Sequence, residues 1–248
     1  MQYMLGLILD KNIDTEKLYE EIDKAMAPYR SSNKGECKEQ YLKFMPIDDK
    51  HVRYLKKEYD RQHKYKTFED FMLNDYNLFF NKALCKFGFY KNPNAKWSYY
   101  EVGGKYEKAL KLKEGDNDYA EYIFNIDFEG MRNKKIKALA DIWDNNINKD
   151  ELEKISVGIY PNSTREEYIT KDVDFYTTAV ITKDGKWHQY GQFNNYGFII
   201  ASNGMIPIND EEEKWKKEYY NKFIKDLDPK DIFVIVDFWP ICKRSEYE

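Results

Sequence analysis

Asp231-Ile-Phe-Val-Ile-Val-Asp-Phe238 is the stretch that decides the fold. Six of its eight residues are apolar, and four of the six are β-branched. A short, nearly continuous apolar run of this kind predicts a strand buried on both faces, and so a central one. Gln2-Tyr-Met-Leu-Gly-Leu-Ile-Leu9, closed by Asp10, predicts a second central strand. Asp14 or Thr15 can cap a helix running to about Met26, with Leu18, Ile22, Ala25 and Met26 at helical spacing and Pro28 as its stop. Val173 to Thr182 predicts a further strand. Asp184-Gly185 then gives a hairpin returning through Lys186 to Tyr190. Asp210 opens a helix to Leu227, whose Trp215, Tyr219, Phe223 and Leu227 fall at i, i+4.

The order strand, helix, strand, strand, helix, strand is the ferredoxin-like order. The fold class expected is therefore α+β. It would be a single domain over residues 1–248, with helices on one face of an antiparallel sheet and helical insertions at about 30–90 and 105–172. An irregular α+β fold and a two-domain split near residue 90 are the alternatives. The first insertion reads as two or three short helices, one starting at Thr67 with Asp70 three residues on. Its segment His51 to Lys66 is basic and aromatic, which suits a solvated helix or an RNA-binding face. Lys134 to Trp143 reads as a short amphipathic helix. Trp97 to Val102 reads as a strand, and so does Tyr119 to Asp127, as a strand or strand edge.

The bulk numbers bound the function. The chain carries 40 basic and 44 acidic residues, a net of −4. The total makes no case for nucleic acid, although a local basic patch can hide in a balanced sum. Cys37, Cys85 and Cys242 form no CxxC pair, which points to a reducing compartment. Cys85 and Cys242 read as small buried hydrophobes. No leader and no membrane span is expected, so the expected location is cytoplasmic. The 22 Tyr, 15 Phe and 5 Trp fit a core plus the residue bias of an AT-rich coding sequence.

The densest functional candidate is Asn92-Pro-Asn-Ala-Lys-Trp-Ser-Tyr-Tyr-Glu-Val-Gly-Gly-Lys-Tyr106. An Asn-Pro-Asn turn bends the chain, aromatics follow, and two glycines free the backbone for positive φ or close approach. Lys96 and Lys105 bracket the strand. Glycine amides, lysines and ring faces suit a ligand with phosphate and base. The ligand-binding candidates are Asn94, Lys96, Trp97, Tyr100, Gly103, Gly104 and Lys105. A plain strand with a Gly-Gly turn is the competing reading. Asp237, a carboxylate inside an apolar strand, and His188, on the hairpin's return strand, are the acid–base candidates. Asp237 would find Lys96 or Lys105 if the strands adjoin. Asp10 is a comparable but plainer turn residue. With His51, His63 and His188 as the only histidines, no metal site and no cofactor are expected. There is no GxSxG, P-loop, GxGxxG, HExxH or EF-hand pattern.

The block resembles a group of largely uncharacterised proteins found mostly in bacteriophages. Their central signature is Asn-Pro-Asn-x-Lys-Trp-Asp-Trp-Tyr-x-x-Gly-Gly-Arg-Trp. Asn92, Pro93, Asn94, Lys96, Trp97, Tyr100, Gly103 and Gly104 match it. Ser98 stands for the acid, Tyr99 for a Trp, and Lys105-Tyr106 for Arg-Trp. Ala27-Pro28-Tyr29, Thr178 to His188 and Val236-Asp237 extend the likeness over most of the core. Such proteins often end the last strand with Asp-x-His. Here Asp237-Phe238-Trp239 has lost the histidine, and Lys105 gives up an arginine's bidentate grip on anions. The resemblance implies a phage-type accessory protein in the host cytoplasm. It would bind a nucleotide-like ligand, a nucleic acid such as RNA, or a host defence protein, and antagonise host defence. A metal-independent enzyme on nucleotides or RNA, and a pure protein–protein module, are the alternatives.

Overall fold

The computed structural model describes residues 1–32, 37–145, 164–170, 173–194, 196, 198–202 and 209–241. The chain divides into two compact units. One comprises Met1–Ala25 and Tyr99–Glu248, and the other is the intervening Met26–Ser98.

The larger unit is built on β1 (Tyr3–Leu9), which pairs on both sides. It runs antiparallel to β11 (Ile232–Pro240), from Tyr3 opposite Phe238 to Leu9 opposite Ile232. It runs parallel to β7 (Ala179–Ile181), with Leu5 opposite Ala179. β8 (Trp187–Gln189) returns beside β7, β5 (Trp97–Val102) and β6 (Ala120–Tyr122) both pair with β11, and β9 (Gln192–Phe193) pairs antiparallel with β10 (Ile199–Ile200) in a small sheet of its own. Every residue of β11 from Ile232 to Phe238 is buried, as its apolar run requires.

The architecture is mixed α and β, in line with an α+β class. It departs from the ferredoxin-like expectation at one place. That fold is antiparallel throughout, whereas here the first hairpin strand, β7, lies parallel beside β1, and β8 takes the edge. Val173 to Thr178 was expected to be strand, yet regular pairing starts only at Ala179. The Thr177 carbonyl accepts from Trp215 Nε1 at 2.8 Å, and its Oγ1 accepts from the Gly6 amide at 3.2 Å. A hydroxyl thus takes up the backbone amide that a ladder carbonyl would hold.

Helix α1 (Leu18–Met26) follows a 3-10 turn capped by Asp14, and its Ile22 is fully buried. In chain order the other helices are α2 (Asp49–Gln62), α3 (Phe68–Tyr76), α4 (Phe128–Asn145), α5 (Arg165–Thr170) and α6 (Asn209–Phe223). α6 lays Trp215, Tyr219 and Phe223 against Ile8, Val180, Phe233 and Ile235. Gly6 has a steric reason. A Cβ there would lie 2.6 Å from the Phe233 ring, so only glycine lets the ring cross the strand. Asp231 is fully buried and structural. It accepts from Lys183 Nζ at 2.7 Å, the Lys11 amide at 3.3 Å and the Asp228 amide at 3.0 Å. No helix among the described residues is long and apolar enough to cross a membrane.

The smaller unit holds α2 and α3, capped by Asp48 and Thr67, around Leu55, Phe71, Met72 and Leu78. The sequence reading foresaw these helices but not the sheet beside them. β2 (Lys43–Pro46), β4 (Lys86–Lys91) and β3 (Phe79–Asn81) form an antiparallel sheet in that order. Cys85, expected to be buried, is exposed in the tight β3–β4 turn at φ 51°, and Cys242 lies outside the described residues.

Candidate functional site

The Asn92–Tyr106 block is divided between the two units. In the smaller unit its first half holds the fold. Asn92 is buried, and its Nδ2 donates to the carbonyls of Pro28 (2.9 Å) and Arg30 (2.8 Å). Its Oδ1 accepts from the Asn94 amide at 3.0 Å, which sets the Asn-Pro-Asn turn. Trp97 is 2% exposed and donates from Nε1 to the Met26 carbonyl at 3.1 Å. Arg30 lies over its ring at 5.3 Å. These are the contacts of a clamp between two chain segments, and they leave the Trp97 ring no face for a ligand. The Asn94 side chain is exposed. Lys96 is half-buried, and burial lowers its pKa.

In the larger unit, Gly103 and Gly104 both have positive φ, 71° and 51°. A Cβ on Gly104 would come within 2.6 Å of Asp237 Cβ, so the glycine makes room for the carboxylate. Asp237 meets Lys105 through the backbone, its Oδ2 accepting from the Lys105 amide at 3.3 Å. The Lys105 ammonium instead donates to the Gln2 carbonyl at 3.1 Å. Asp237 is fully buried, and Oδ1 has no hydrogen-bond partner among the described residues. Burial raises its pKa against the pull of the Lys105 amide and charge. Tyr100 is tied to Asp23 of α1 by its hydroxyl.

His188 does not join Asp237. It sits on β8, half-buried against the Phe223 ring, and burial with the Lys222 charge lowers its pKa. β1 and β7 lie between β8 and β11. Three strand spacings separate the two residues by about 14 Å. The pair makes no acid–base site. Asp10 is an exposed turn residue that accepts from the Asn12 amide at 2.9 Å. Among the described residues no group of three or more His, Cys, Asp or Glu is placed to hold a metal ion.

What the larger unit does contain is a cleft of about 530 Å³, within the range of small-ligand sites. Its floor is Met4 of β1 and Thr178 just before β7. Asp237 stands opposite Met4 in the β1–β11 ladder, on the same sheet face. Tyr106, Phe175, Tyr176 and Tyr190 supply four aromatic rings, and Lys108, Lys111, Lys134 and Lys135 supply four ammonium groups. The segments are held from behind. Trp215 fixes the Thr177 carbonyl, and the Tyr219 hydroxyl meets Thr177 Oγ1 at 2.7 Å, so Tyr176 and Thr178 are pinned on either side. Asp127 accepts from the Gly130 amide at the start of α4 and from Lys111 Nζ at 2.7 Å. Lys135 donates to the Asp174 carbonyl at 3.3 Å. Lys108 and Lys134 have no carboxylate partner among the described residues.

The electrostatics favour binding over proton transfer. Burial, with Glu212 and Tyr176 nearby, pushes the Tyr190 phenol far above its usual range, so it is a neutral donor. No described lining residue is Asp, Glu, His or Cys. The surface therefore offers rings, hydroxyls and positive charge, and no base that works near neutral pH. Of the expected binding block only Tyr106, its last residue, reaches this cleft.

No protein-family model, curated protein or solved structure matches the chain.

Proposed function

We propose that this chain is a binding protein for a nucleotide-like anion and that the ligand occupies the lysine- and aromatic-lined cleft of the larger unit. The observation that carries the reading is the lining: four lysines and four aromatic rings with no carboxylate among them. Ammonium groups meet phosphate charge, and ring faces meet a base. The likeness of Asn92–Tyr106 to phage-type proteins supports an accessory role. Capture of such a ligand in the host cytoplasm would antagonise a defence response that depends on it. The enzymatic alternative loses support because Asp237 and His188 lie strands apart.

The test is a thermal-shift and calorimetric screen against mononucleotides, dinucleotides and cyclic oligonucleotides. A ligand at 100 times its Kd stabilises by about 2.7 kcal/mol. The expected result is a shift that is lost in Lys108→Glu and in Lys134→Glu. A shift that survives both substitutions, or no shift with any member of the series, rejects the cleft as the site.

A further inference from the structure

We propose that the Met26–Ser98 unit binds single-stranded nucleic acid on its three-stranded sheet. This site is separate from the cleft and stands on different observations.

The first is charge. Residues 26–98 hold 15 Lys and Arg against 9 Asp and Glu, a net of +6, while the rest of the chain holds 25 against 35, a net of −10. The balanced total conceals a basic unit. From Tyr76 to Tyr100 there is no Asp or Glu, and Lys82, Lys86, Lys91 and Lys96 are the charged residues. The strands themselves carry only lysines, Lys43, Lys86 and Lys91.

The second is the arrangement of rings. Phe44 is opposite Tyr90, and Phe79 is opposite Gly88. Opposed residues share a face, and so do residues two apart, so Phe44, Tyr90 and Phe79 lie on one face, one from each strand. Their rings touch at 5.5 Å (Phe44 to Tyr90) and 5.9 Å (Phe79 to Tyr90). Gly88 is at the centre, where an added Cβ would fall 2.6 Å from the Phe44 ring. Phe79 is 39% and Tyr90 47% exposed. Lys86 is on the same face by register. The opposite face sends Phe87 into the α2–α3 core, while Phe80 and Phe89 on it stay partly exposed.

A face with one aromatic ring per strand and Lys86 beside them, on strands that carry Lys43 and Lys91 on the other face and no acid on either, matches a strand of bases in both respects. Rings stack on bases irrespective of sequence, and lysines follow phosphates. An apolar protein partner would use the rings but gives no reason for a segment from Tyr76 to Tyr100 that is charged by lysines alone.

The experiment is fluorescence anisotropy of labelled 20-nucleotide single-stranded RNA and DNA, and of a duplex, titrated with the full chain at several salt concentrations. Single strands should bind more tightly than the duplex, and affinity should fall as salt rises. Phe79→Ala and Tyr90→Ala should each weaken binding about tenfold, with circular dichroism unchanged. Lys86→Glu should weaken binding and flatten the salt dependence. The cleft variant Lys134→Glu should bind as the parent does. Binding of RNA alone would support the site with 2′-hydroxyl contacts, and binding of both strands would support it with ring and phosphate contacts. The proposal is overturned by undetectable binding at low salt, by undiminished binding in Phe79→Ala/Tyr90→Ala, or by a loss confined to Lys134→Glu. Uptake on anionic vesicles without oligonucleotide binding would also overturn it. So would self-association that Phe79→Ala abolishes, again without oligonucleotide binding.

Discussion

The two units solve the same folding problem with opposite surfaces. The larger one buries a long central strand on both faces, carries a net charge of −10, and sets four lysines around its cleft. The smaller one has a modest core of four fully buried side chains, carries +6, and leaves aromatic rings on an open sheet. The difference teaches that a charge total is a property of a chain, whereas recognition is a property of a surface. Averaged over 248 residues, both cationic features vanish into −4.

The strongest way to break the comparison is to damage the small core. Phe71→Ala removes a fully buried ring and should cost the smaller unit about 3–5 kcal/mol. Scanning calorimetry should show one transition move while the other holds. A single transition that shifts as a whole would mean the two units do not unfold separately. Next in size is Asn92→Ala, which strips two part-buried carbonyls of their donor and should cost about 1–3 kcal/mol in chemical denaturation. A loss below about 0.5 kcal/mol would show that the clamp is incidental.

Asp237 sharpens the larger unit's side. Its folded pKa is raised, so the folded state holds the proton more tightly than the unfolded chain. Its burial therefore costs stability above the raised pKa, and the cost is relieved as pH falls through that value toward 3.8. The stability difference between the parent and Asp237→Asn should change across that acidic window and stay constant above it. Parallel profiles from pH 7 down to pH 3 would remove the shifted carboxylate from the account. The smallest effect is expected at His188. His188→Gln should change stability by less than about 1 kcal/mol and leave nucleotide affinity intact. A large loss of affinity would return the histidine to the site.

The ends of the larger unit were legible in the sequence. Ile232 to Val236 and Leu5 to Leu9 are apolar without interruption, and Asp184-Gly185 has only one cheap geometry, so strand, strand and hairpin followed from local rules. The order in which they pair was not legible. Where regular pairing of β7 begins was not legible either, since the hydroxyl and carbonyl of Thr177 just before it are held by Gly6 and Trp215 from far along the chain. The small sheet escaped notice because Lys86 to Lys91 places aromatics on both faces and shows no alternation. The cleft is drawn from Met4, Tyr106 to Lys111, Asn117, Met131 to Lys135, Phe175 to Thr178, and Tyr190, and no local motif spans segments so far apart. The Asn-Pro-Asn and Gly-Gly pieces were recognised as special for sound reasons. Their constraints turn out to be a clamp and a berth for a carboxylate.

The hydrogen bond from Trp97 to the Met26 carbonyl joins residues 71 apart. It brings the first and last turns of the inserted unit to the same point. Once that bond is made, an excursion of some seventy residues counts, for the chain on either side, as a hairpin-sized detour. The entropy of closing a loop grows only with the logarithm of its length. Pairing of β5 with β11 should therefore be faster when the insert has already closed. The insert therefore leaves and rejoins the larger unit's chain with its two ends held at one point.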